Sequence, residues 1–178
     1  DTLINNFTYK KLYFFTDSVF DIKNSKYIGG IREDEAKRIY YIGESIHWHK
    51  PLDFDNEELL LYDFSIGIGD TLWEEDNTNI FGSLIVQDID TIQIGNLLRK
   101  KFIFNFRDEW IEGIGSIRGL LFASIPDVTG TSSVPNGDLI CFLQNDSVLY
   151  HNEYYNDCFP TNVGVELKKL NLGIQVYP

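Results

Sequence analysis

Apolar residues fall in short runs along this chain, and each run is closed by Gly, Asn, Asp or Pro instead of continuing at helical spacing. The runs are rich in β-branched and aromatic side chains, which suit a pleated, half-buried surface. Phe7 to Phe15 predicts a first strand, Lys26 to Arg32 a second and Arg38 to Ile42 a third, the latter two joined by the charged turn Glu33-Asp34-Glu35-Ala36. Leu59 to Ile66 predicts a fourth, left through Gly67-Ile68-Gly69-Asp70. Leu84 to Ile94 and Leu97 to Phe106 flank Gly95-Asn96, two residues with the chemistry of a primed hairpin turn. Asp138 to Gln144 and Val148 to His151 predict a last hairpin across Asn145-Asp146-Ser147. Between them, Phe122 to Gly137 is rich in Gly, Pro, Ser and Thr and reads as an exposed loop, a lid or a binding tip. No segment holds helical periodicity beyond about one turn. The expected fold is all-β, an antiparallel meander forming a β-barrel, with a two-sheet β-sandwich as the alternative.

Composition narrows the picture. At 178 residues the chain has the size of one domain, and its 43% hydrophobic and 15% aromatic content supplies a core without metal or cofactor, neither of which is expected. The net charge of −12 disfavours nucleic acid and anionic membrane surfaces, which repel an acidic domain at long range. No run approaches the roughly 20 apolar residues that cross a bilayer, so membrane insertion is not expected. The chain begins at Asp1 and contains no Met, which reads as a processed terminus whose targeting segment has gone. Cys141 and Cys158 enclose a loop whose closure as a disulfide contributes about 3 kcal/mol in the chain-entropy model. Two separate buried thiols are the alternative, and the spacing is no metal signature.

Three stretches carry a resemblance: Leu61-Tyr62-Asp63-Phe64-Ser65 running into Gly69-Asp70-Thr71, Trp110-Ile111-Glu112-Gly113-Ile114-Gly115-Ser116 followed by Gly119-Leu120-Leu121, and Leu139-Ile140-Cys141-Phe142 leading through Tyr150 to Cys158. They resemble a group of uncharacterised Bacteroidetes proteins that are cargo of the type IX secretion system. The final Ile174-Gln175-Val176-Tyr177-Pro178 is similar to the opening strand of the C-terminal sorting domain such cargo carries. On that resemblance residues 1–172 form one globular β domain, and 173–178 begin the sorting domain or the linker to it. It implies a partner, the type IX secretion machinery, and a location at the cell surface or in the medium, but no activity. Asp followed by Ser or Thr and an apolar residue resembles the O-glycosylation acceptor of that phylum. Of the five occurrences, Ser18, Thr71, Thr91 and Ser147 are the candidate sites, Ser18 and Ser147 favoured because they fall in predicted turns.

Candidate chemistry is sparse. His47-Trp48-His49 in an extended segment sets two imidazoles on one side, where they are weak candidates for holding a metal; exposed loop residues are the plainer reading. Asp53, Asp55, Glu57 and Glu58 lack the glycine and spacing of a calcium loop and read as a generic acidic loop, as does Glu74-Glu75-Asp76. Trp110 and Glu112, two apart in a strand, form a possible ligand platform, the ring stacking on a sugar and the carboxylate accepting its hydroxyl hydrogens. Alternatively, Trp110 fills the core. No nucleophile elbow, phosphate loop or dinucleotide fingerprint is present. The expectation is a binding or structural module with a glycan or protein ligand. The competing expectation is an enzyme on extracellular polymers with Glu112 as general acid or base.

Overall fold

The computed structural model describes residues 1–15, 20–43, 57–73, 83–105, 108–121, 138–144, 147–158 and 173–176. These are all-β, with thirteen strands and one short 3-10 turn at Ile22–Asn24. Strands β1 (Thr2–Ile4), β2 (Phe7–Phe15), β3 (Lys26–Glu33), β4 (Arg38–Gly43) and β5 (Leu59–Asp63) pair in sequence order as an antiparallel meander. A second antiparallel meander runs through β6 (Thr71–Trp73), β7 (Ser83–Ile94), β8 (Leu97–Phe104), β9 (Glu109–Ile111) and β10 (Gly115–Ser116). A separate hairpin joins β11 (Cys141–Gln144) to β12 (Ser147–His151). The two meanders curl around one core in a sandwich-like, barrel-like arrangement, the all-β antiparallel fold that the apolar pattern predicts.

The turns follow local chemistry. Gly95 takes φ 58° at the head of the two-residue loop between β7 and β8, as a type II′ turn requires. Between β3 and β4, Asp34 and Arg38 bracket a turn in which Lys37 adopts φ 62°. The Asp34 carboxylate fixes it by accepting from the backbone N–H groups of Ala36 and Arg38. The sequence reading missed β1: Asn5 and Asn6, at φ 49° and 67°, make an Asn-Asn type I′ turn into β2. It also ran the fourth strand too far. The strand stops at Asp63 because that carboxylate accepts from the N–H and the hydroxyl of Ser65, turning the chain locally.

Alternation fills the interior from both sheets. Leu12, Ile31, Tyr41, Leu59, Leu61 and Tyr62 from the first meander meet Leu84, Val86, Phe102, Phe104 and Trp110 from the second, with Phe64 and Leu121 closing the cluster. A smaller cluster of Ile94, Ile111 and Ile114 lies under the β11–β12 hairpin, which contributes Phe142, Leu149 and Tyr150. Gly173–Val176, set apart by the sequence reading as the start of a sorting domain, forms β13 against Leu12–Phe15 of β2. The outer edge of β2 is thus shared by β1 at Phe7–Tyr9 and β13 beyond it.

Strands β3 and β4 approach closely where Gly29 faces Gly43. A Cβ on Gly43 would stand 2.2 Å from the Ile28 carbonyl oxygen and 2.6 Å from Gly29 Cα, contacts that backbone cannot relieve without moving. Gly43→Ala is expected to lower unfolding free energy by about 1–3 kcal/mol, the range for forcing extra atoms into a well-packed site. At Gly67, where the nearest atom is 3.8 Å away, the same substitution should change stability little. Urea denaturation of both variants checks the contrast.

Candidate functional site

The stretch Trp110 to Ser116 forms the tight β9–β10 corner, and it builds the most developed polar cluster among the described residues. Trp110 is fully buried, its ring packed edge-on against Tyr62 with centroids 4.9 Å apart and tilted against Phe104 at 4.5 Å. A buried indole N–H needs an acceptor, and Trp110 Nε1 donates to Asp108 Oδ2 at 3.3 Å. The other carboxylate oxygen, Asp108 Oδ1, accepts from the Ser116 hydroxyl at 3.1 Å and the Glu109 N–H at 2.9 Å. The Ser116 N–H in turn donates to the Tyr62 hydroxyl, which donates to the Leu120 carbonyl.

Asp108 is 3% exposed. Burial pushes its pKa from 3.8 up to about 6, against the opposing pull of the Ser116 hydroxyl, the Arg118 charge 3.9 Å away, the Trp110 N–H and the Glu109 N–H. Burial likewise raises the Tyr62 phenol. A carboxyl titrating near 6 beside a serine has the elements of acid–base chemistry. Both groups are sealed under the sheet, with Ser116 at 0% exposure, so the cluster braces the corner and touches no solvent-borne substrate.

The same burial corrects the ligand platform. Trp110 has no free face for a sugar ring. Glu112, two residues on, emerges at the rim as the acceptor of an ion pair from Lys37 Nζ, which draws its carboxyl below the usual range. The two residues are therefore divided between core and rim and form no joint surface. Arg99 Nη1 donates to the Glu112 carbonyl at 2.9 Å, steadying the turn from beneath.

Sequence reasoning missed a second constellation on the first meander. Arg32 lies between the rings of Phe7 and Tyr40, its guanidinium carbon 4.4 and 4.3 Å from their centroids. It grips Glu58 through two bonds of 2.6 Å, and the Tyr9 hydroxyl donates to the same carboxylate. Glu58, read from sequence as part of a generic acidic loop, instead anchors the entry to β5. The legible signal was an arginine ending an apolar strand, opposite Tyr40 in the register. Nothing local pointed to Glu58.

Cys141 and Cys158 are joined as a disulfide, with Cα atoms 5.3 Å apart. Of the candidate acceptors, Thr91 and Ser147 are exposed and Thr71 is half-buried at the start of β6. His47, His49, Asp53, Asp55, Ser18, the 74–76 acidic run and the 122–137 loop lie outside the described residues. Among the described residues no group of three His, Cys, Asp or Glu is placed to hold a metal. No family profile, curated protein or solved structure matches this chain.

The Asp108 cluster sets a pH dependence. The carboxyl binds its proton more tightly folded than unfolded, so its contribution favours the folded state most at acid pH and declines as pH rises from about 4 to about 6. The decline is expected to approach 3 kcal/mol at most, about 1.4 kcal/mol per pKa unit. Asp108→Asn, neutral throughout, should remove it. Urea unfolding of both proteins from pH 4 to 7 measures the difference, and parallel curves would refute the assignment.

Proposed function

We propose that this chain is an exported binding or structural module of the cell surface or the surrounding medium, carried across the outer membrane by the type IX secretion machinery. The observation that carries the export reading is the Cys141–Cys158 disulfide. Such bonds persist in oxidising compartments and are reduced in most cytosols. This one closes the segment that holds the β11–β12 hairpin over the smaller apolar cluster, so the hairpin depends on the compartment that keeps the bond. The route rests on the resemblance of the Leu61, Trp110 and Leu139 stretches and of Ile174 to Pro178 to type IX cargo. The exposure of Thr91 and Ser147 supports O-glycosylation there. No helix among the described residues is long and apolar enough to cross a membrane.

A binding or structural role fits the way the chain spends its polar groups. Asp108, Ser116 and Tyr62 satisfy one another in the interior, and Arg32, Glu58 and Tyr9 do so on the first meander. In each cluster the polar side chains are met by protein partners, which suits a scaffold that presents a surface.

Intact mass of natively secreted protein, with and without reduction, tests the export reading. The expected result is a gain of two hydrogens on reduction, with hexose-type mass mapping to the Asp-Ser or Asp-Thr sites. A reduced, unmodified chain would overturn it. Replacing both cysteines by serine is expected to cost about 3 kcal/mol of stability, measured by denaturation of the oxidised parent and the variant side by side.

A further inference from the structure

Strand β7 runs on past its neighbour. β6 pairs with it over Ser83–Ile85, and that contact ends where the Gly69 N–H donates to the Val86 carbonyl and the Val86 N–H to the Asp70 carbonyl. From Gln87 to Ile94, β7 has β8 on one side and, among the described residues, no strand on the other. Ile94 and Leu97 close a two-residue turn and so form a hydrogen-bonded pair. The backbone groups of Ile94, Ile92, Asp90 and Asp88 therefore point to β8, and those of Gln93, Thr91 and Ile89 point to the open edge. Two of these three edge donors are occupied by the chain's own side chains. The Ile89 N–H donates to the Asp88 carboxylate at 2.8 Å and the Thr91 N–H to the Asp90 carboxylate at 2.7 Å. Both aspartates are exposed.

We propose that this edge docks an extended peptide segment carrying Lys or Arg at alternate positions. A strand adding to β7 needs the N–H groups of Ile89 and Thr91, so it must draw the two carboxylates off them. A displaced carboxylate is stable beside a cation. Asp88 and Asp90 are two residues apart on one strand, about 7 Å, which is the repeat of alternate side chains on an incoming strand. A basic strand supplies counter-charge and backbone partners together, and the net charge of −12 attracts it at long range. A second copy of the chain brings the same aspartates and the same net charge to the edge, which opposes pairing. The folded-back carboxylates thus close the edge to self-association and leave it open to a basic partner. The inference stands whether or not the chain is exported.

The test uses the full chain and a capped synthetic peptide alternating lysine and valine, read by amide hydrogen exchange. Two companions are needed: the same peptide N-methylated along its backbone, with equal charge and no donors, and a glutamate–valine version. The lysine peptide is expected to slow exchange at Ile89, Thr91 and Gln93 by about tenfold or more, the scale of a newly bonded edge. The companions should leave these amides unchanged. Asp88→Asn combined with Asp90→Asn, both at exposed positions, should weaken lysine-peptide binding by roughly tenfold, as for the loss of two ion pairs. Equal binding of the N-methylated peptide would overturn the proposal by showing charge adhesion alone. So would protection confined to other amides. Protection that rises with protein concentration without peptide would overturn it in favour of a second copy.

Discussion

A buried tryptophan brings an N–H into a place without water, and much of this fold answers that one demand. Trp110 sits where the inner faces of the two meanders meet, against Tyr62, Phe64 and Phe104. Its donor is met by Asp108, which places a carboxylate in the interior and creates a second demand, answered by the Ser116 hydroxyl and the Glu109 N–H. The serine's own N–H is met by Tyr62 from the opposite sheet, and the tyrosine's proton by the Leu120 carbonyl. One continuous line of hydrogen bonds therefore ties β9, β10 and β5 to the segment that follows β10. In a low-dielectric interior each unmet member would cost more than a bond formed in water returns, so the line is kept whole.

Farther out the same logic holds with weaker stakes. Arg32 is half-buried between two rings and keeps its charge by holding Glu58 with both prongs of its guanidinium. Lys37 and Glu112 join the β3–β4 turn to the β9–β10 turn at the rim, where Lys37 is exposed and solvent screens the attraction. The first pair fixes how β5 enters the sheet; the second aligns two turns already shaped by their own backbones.

A strand-rich chain has sheet edges whose unpaired backbone groups invite pairing with another chain. The outer edge of β2 is covered by β1 and β13, and the stretch of β7 without a second strand partner among the described residues has carboxylates folded onto two of its three edge donors. Thr91 belongs to both proposals made for this protein, as an exposed acceptor for a sugar and as an edge residue for an incoming strand.

By itself the sequence determined what depends on neighbours along the chain. The strands Phe7 to Phe15, Lys26 to Arg32 and Arg38 to Ile42, each within a residue of its observed end, and the Gly95-Asn96 hairpin follow from residue preference and alternation, and the all-β fold follows from them. Asn5-Asn6 was readable too, as two residues that tolerate a left-handed backbone, but a short strand before it carried too few apolar positions to declare itself. What only the tertiary structure decided is pairing between distant residues. Trp110 could be a platform or a core residue on its own sequence, and the choice was made by Tyr62 and Phe104, from two different strands, packing against its ring and burying it. Asp108, Arg32 and Glu58 look like surface charges in one dimension. Their roles arise because burial and partners are set by strands far apart in the chain, and a local pattern contains neither.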